Sequence, residues 1–152
     1  MSKLKEDISE TTINVELHNV IKAEVAKIQD EKGVIIKYSK DKRGDFVYIR
    51  LQHESKILID LCVNTDTVDM FIGSLTTPIY EAVKIIDKSS LNSFSDFFKV
   101  IMNNPLDEIE YVSGKIEYRI SGTERIIHTS KNILDFLWPR KVIRETHYIQ
   151  WN

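Results

Sequence analysis

Residues 49–64 read "IRLQHESKILIDLCVN", two runs of alternating apolar residues on either side of a short polar break. Ile49 and Leu51 alternate before the break, and Ile57, Ile59, Leu61 and Val63 alternate after it. A period of two sends successive side chains to opposite faces of a strand. Two such runs with so short a connection must be antiparallel, because parallel strands need a crossover of about a dozen residues or more. The stretch is therefore a β-hairpin, with His53, Glu54 and Ser55 in its turn. The same residues raise a chemical question, since Asp60 and the single cysteine, Cys62, follow close behind. A Cys–His couple has to close to about 3 Å. Cys62 stands on the polar face of the second strand, well along from His53, and turns favour polar residues for local reasons. The structural reading of the stretch is preferred.

Working outward, runs of the same kind cover 34–39, 46–52, 56–64 and 68–74, separated by "KDKRGD", "HES" and "NTDT". They predict a four-stranded antiparallel meander. Upstream, Leu17, Val20, Ile21, Val25 and Ile28 recur at helical spacing, and Gly33 stands where a C-terminal cap belongs. Downstream, Thr77 and Pro78 read as cap and first turn of a short helix carrying Ile79, Ala82, Val83 and Ile86. Phe94, Phe97, Phe98 and Ile101 predict a clearer one, stopped by Asn104-Pro105. A hairpin over 108–120 turns at Ser113-Gly114. A strand at 124–128, a short helix at 130–138 and a strand at 142–150 complete the chain. The expected class is α+β: a mainly antiparallel sheet of meander and hairpins, with an N-terminal amphipathic helix and two or three further helices packed on one face. Residues 1–11 are polar and expected to be flexible, which leaves 12–152 as a single domain.

Composition narrows the chemistry. A net charge of −2 and a single cysteine argue against a nucleic-acid-binding field, an internal disulfide and a thiolate metal cluster. His18, His53, His128 and His147 show no paired spacing, and the five glycines form no phosphate-cradling loop. No metal and no cofactor are expected. The first twelve residues, "MSKLKEDISETT", contain no apolar run that could direct export, and no stretch approaches the roughly 20 apolar residues of a membrane span. A cytoplasmic location and no membrane partner follow as expectations. The chain has 22 isoleucines against 3 alanines, which fits an AT-rich bacterial gene.

The remaining features suggest a surface for another protein. Asp66 and Asp69 flank a turn, and Asp107, Glu108, Glu110 and Glu117 are expected on the outward face of the 108–120 hairpin, where Lys115 and Arg119 balance part of their charge. Trp151 either closes the edge of the core or anchors an interface. These seven residues are the candidate partner-binding set. The function expected is a non-enzymatic protein-binding domain, specifically a small bacterial immunity-type protein that binds and neutralises a cognate toxin. The alternative is a Mg-dependent nuclease-like enzyme using Asp45, Glu54 and Lys56, where two carboxylates would hold the metal and the lysine would steady the attacking water or phosphate. Spacing opposes it: a seven-residue strand separates the two carboxylates by roughly 23 Å.

Overall fold

Leu17, Ile21 and Ile28 form one buried stripe on helix α1 (Thr12–Ile28), as their spacing requires. The computed structural model describes residues 12–40, 47–64, 67–73, 80–84, 87–130 and 141–152. Gly33 follows α1 at φ +84°, a conformation open to glycine and strained for other residues, and turns the chain into the first sheet. That sheet runs β1 (Ile35–Lys40), β2 (Val47–His53), β3 (Lys56–Val63), β4 (Thr67–Ile72) and β5 (Tyr80–Lys84), each antiparallel to the next.

β5 corrects the sequence reading, which placed a helix over 77–86. Val83 sits across from Val68, and Tyr80 across from Met70. A helix this short gains little from its own hydrogen bonds, whereas the edge of β4 offers a full ladder. Helix α2 (Lys88–Asn103) begins only at Asp87, whose carboxylate accepts from the Ser90 amide at 2.8 Å while the Ser90 hydroxyl accepts from the Asp87 amide. This capping box satisfies amides that the first helical turn leaves open. Phe94 and Phe98 stack at 5.7 Å on its buried face. The helix expected at 130–138 falls almost wholly outside the described residues, which contain two helices in all.

The strands after α2 build a second sheet: β6 (Leu106–Tyr111), β7 (Ile116–Ile120), β8 (Ile126–Thr129) and β9 (Val142–Tyr148), in the order β8-β7-β6-β9. The 108–120 hairpin is its centre. One apolar core joins the inner face of the first sheet, α1, α2 and the Leu106–Tyr118–Ile120 side of the second.

Two local devices hold these layers together. The first is the C-terminus. Trp151 is 1% exposed, and its indole Nε1 donates to the Ile57 carbonyl at 2.9 Å. The amides of Trp151 and Asn152 both donate to the Met102 carbonyl, and the Ile149 amide donates to Ser55. The last residues thus tie the end of α2 to the start of β3. The second is the seam between the sheets. Gly73, at φ +56°, ends β4 where the Tyr118 hydroxyl donates to Glu108 at 2.5 Å, and a Cβ at Gly73 would collide with both oxygens. Gly73→Ala should therefore lower stability by about 3 kcal/mol, combining left-handed strain with disruption of a buried hydrogen bond. Urea unfolding of the purified variant measures this, and a loss under about 1 kcal/mol would contradict it.

Candidate functional site

The apolar residues of β2–β4 point inward, so the intervening ones share the opposite face of the first sheet. Across the ladder, Arg50 faces Asp60, which faces Phe71; Tyr48 faces Cys62, which faces Asp69. The polar groups are locked together. Asp60 accepts the Tyr48 hydroxyl at 2.8 Å, Arg50 Nε at 2.7 Å and Arg50 Nη2 at 3.0 Å. The guanidinium also lies 5.9 Å from the centre of the Tyr48 ring. Asp60 is 16% exposed and Arg50 35%, so the fork is only partly screened by water. Its effect shows on both partners. Hydrogen bonding to the Asp60 carboxylate pushes the Arg50 pKa further up, and burial together with Asp60 raises that of the Tyr48 phenol.

Cys62 belongs to this face but is not an activated nucleophile. Burial raises its pKa first, and the carboxylates of Asp69 and Asp60 raise it further. A reactive thiolate needs the opposite surroundings: a cation, a base or a helix N-terminus. The face offers a fixed hydroxyl, a fixed guanidinium and half-buried apolar groups.

The residues singled out in the sequence are scattered over the fold. Asp69 stands on this outer face. Asp66 and Asp45 lie outside the described residues. Glu108 and Glu117 are each 4% exposed, so the outward-facing reading of these two is corrected. Glu108 lies on the core side of β6 and takes the Tyr118 hydroxyl, and Glu117 takes the Tyr111 hydroxyl and Arg119 Nε. Tyrosines supply the donors that let both carboxylates be buried. Glu110 is half-buried and paired with Arg144 at 2.8 Å. Trp151 is in the core. Lys56 is buried too: its ammonium donates to both Glu31 carboxylate oxygens at 2.6 Å and to the Trp151 carbonyl at 3.0 Å, and sits 5.4 Å from the Trp151 ring centre. Glu54 is exposed in the turn, where the Ser55 amide donates to His53 Nδ1.

Asp107, Ser121 and His147 do converge, with the residue types of a hydrolase triad. Asp107 Oδ1 lies 2.7 Å from His147 Nδ1 and 2.7 Å from the Ser121 hydroxyl, and that hydroxyl lies 3.1 Å from the same Nδ1. A relay needs serine on one ring nitrogen and aspartate on the other. Here both crowd one nitrogen, so the imidazole cannot carry a proton between them, and the cluster clips β9 to β6 and the strand end at Ser121. Among the described residues no three His, Cys, Asp or Glu side chains are placed to hold a metal ion, and no helix is long and apolar enough to cross a membrane.

Comparison of the chain with family models, with curated proteins and with solved structures finds no match.

Sequence reasoning missed Tyr48 and Arg50. The available signal was Asp60, a residue depleted in strands, set between Ile59 and Leu61. Such a residue needs a donor on its own face, and the partner strand offers Tyr48 and Arg50.

Two outcomes follow. The pH profile of Cys62 alkylation by iodoacetamide should have its midpoint above that of an ordinary thiol, because the thiolate is disfavoured. Asp69→Asn should move that midpoint down; an unchanged profile would mean that burial and Asp60 set it without Asp69. Lys56→Ala should cost about 2 kcal/mol in chemical unfolding, since it opens a buried site and leaves the Trp151 carbonyl without its donor, while Glu31, 43% exposed, regains water.

Proposed function

We propose that this chain is a non-enzymatic protein-binding domain of the immunity type, which holds and neutralises a toxin in a bacterial cytoplasm, and that the outer face of the first sheet is its contact surface. One observation carries the reading: the Tyr48–Asp60–Arg50 fork is assembled before any partner arrives. Side chains already fixed lose little entropy on binding, and tyrosine and arginine are the residues that most often dominate interface energetics. Leu58 and Phe71, both half-buried, share the face and supply apolar area beside the fork. Asp69 adds a carboxylate of the kind that would oppose a basic toxin site. Asp107 and Glu110, partly exposed at the second sheet, are a separate acidic surface, already paired with His147 and Arg144.

The toxin reading rests on the class: a small, mildly acidic domain whose prominent surface feature is built for recognition. The test is co-purification from the native cells at low and then high salt, followed by binding measurements with the purified partner. Tyr48→Ala and Arg50→Ala should each weaken binding about tenfold or more, and Asp69→Lys should slow association with a flatter salt dependence. Relief of a toxic activity in the partner by stoichiometric addition of the chain would support neutralisation. A partner that binds all three variants as tightly as the parent would displace the contact surface elsewhere. A folded bait that retains no partner would overturn the binding reading.

A further inference from the structure

Strand β1 carries Lys37 directly across from Arg50, so two cations stand side by side on the outer face of the first sheet. Opposed residues of an antiparallel pair have Cβ atoms about 5 Å apart, and like charges at that spacing repel. Asp60 does not relieve the conflict. It lies one strand beyond Arg50, roughly 10 Å from Lys37 across two strand spacings, and both its oxygens accept from Arg50. The other residues nearest Lys37 on that face, Ile35, Ser39, Tyr48 and Gln52, include no acid. The site is open to solvent: Ile35, Lys37 and Ser39 are exposed, and Arg50 is 35% exposed. Lys37 forms no ion pair among the described residues.

The other face of the same strand adds to the positive field. Lys40 of β1 and Lys22 of α1 are both exposed, and neither is in an ion pair among the described residues. Burial, and after it the charges of Lys22 and Lys40, hold the His18 pKa below its ordinary value. β1 is thus a cationic edge on a chain whose net charge is −2. Local conflicts of charge survive in native sequences chiefly where function uses them. Arg50 spends Nε and Nη2 on Asp60, which leaves Nη1 and its two protons outside that pairing. Nη1 and the Lys37 ammonium are donors that can converge on one anion.

We propose that Lys37 and Arg50 together seat a carboxylate of the partner protein, an aspartate or glutamate side chain that accepts from Lys37 Nζ and Arg50 Nη1. This names the partner's chemistry at the outer face and rests on the reading of that face as a contact surface. A protein carboxylate fits better than a nucleic-acid backbone. Asp60 and Asp69 follow on β3 and β4, and a phosphodiester strand crossing the sheet would bring further negative charge against them. A protein can instead place one acid at β1 and apolar side chains on Leu58 and Phe71. The face is bipolar, cationic at β1 and acidic at Asp69, so the partner's acid fixes which way round it lies on the sheet.

The test titrates the ¹⁵N-labelled full chain with acetyl-Leu-Trp-Glu-Leu-Ser-amide, with the same peptide carrying Gln for Glu, and with a short oligothymidylate. The glutamate peptide should saturably shift the amides of 36–38 and 49–51 and the Arg50 Nε–H, and the glutamine peptide should bind about tenfold more weakly. Lys37→Gln should cost a similar factor. Lys37→Glu should abolish peptide binding and raise the urea midpoint, because the new carboxylate meets Arg50 in place of the partner's. Absence of a saturable shift at about 10 mM glutamate peptide would overturn the proposal. So would equal binding of the glutamine peptide, or a Lys37→Glu chain no more stable than the parent. An oligonucleotide that binds more tightly than the peptide and is lost in Lys37→Gln would overturn it in favour of nucleic acid. With a captured partner the two readings separate. A partner weakened by Tyr48→Ala but held unchanged by Lys37→Gln keeps the contact surface and removes the carboxylate from it. One indifferent to both variants displaces the surface itself, and the proposal with it.

Discussion

A tight two-residue turn and a strictly alternating apolar pattern compete in the β2–β3 hairpin. His53 pairs with Lys56 across Glu54 and Ser55. Continued without interruption, that register would set every inward residue of one strand against an outward residue of the other, because a slip of one residue exchanges the faces. An irregularity between Leu51 and His53 absorbs the difference, so that Leu51 meets Ile59 and Ile49 meets Leu61. Burial of seven apolar side chains from the two strands over one core outweighs the loss of one ladder pair. The same correction brings Arg50 opposite Asp60 and Tyr48 opposite Cys62, creating the outer face. It also leaves Lys56 and Ile57, adjacent in sequence, both buried. Lys56 then needs acceptors, which Glu31 and the Trp151 carbonyl provide, and the Ile57 carbonyl takes the indole proton. The C-terminal clasp and the Tyr48–Asp60–Arg50 face are two consequences of one register shift.

The second sheet follows a different rule. β6 and β7 bury carboxylates on both faces, each against a tyrosine hydroxyl: Glu108 with Tyr118 on the core side, Glu117 with Tyr111 on the other. A buried carboxylate without donors is costly, and one with a fixed phenol is held in a single geometry. The seam at Gly73 depends on this, because the chain leaving β4 passes hard against the Glu108–Tyr118 pair. Alternating glutamates look like a solvated face in the sequence, yet in this hairpin they belong to the joints of the molecule.

What was legible in the sequence was whatever depends on local periodicity. The stripe of α1, the Phe94–Ile101 face of α2, the meander and the Ser113-Gly114 hairpin all rest on spacing and turn chemistry within a few residues. What was hidden depends on partners far along the chain. Residues 80–84 carry a helix-compatible pattern, and only the open edge of β4 makes them a strand. The division into two sheets is decided by β9 returning to β6, a pairing about 40 residues apart that no local pattern encodes, as Asp107 opposite His147 shows. The site was half legible. Asp60 and Cys62 were correctly put on the polar face, but counting outward from the turn would have paired Arg50 with Ile59, and only the irregular register brings it to Asp60.

The register shift leaves the first sheet with an outer face whose polar groups are fixed in place. On the outer face of the first sheet the polar groups already satisfy one another, so a partner gains affinity by covering the fork and its apolar neighbours without reordering them, and must match a fixed pattern. A rigid face of this kind would suit one dedicated partner. The irregular register that fixes this face is confined to the β2–β3 hairpin, so substitutions at Tyr48 or Arg50 should leave the Glu108–Tyr118 seam undisturbed, as expected of sites with no shared contacts.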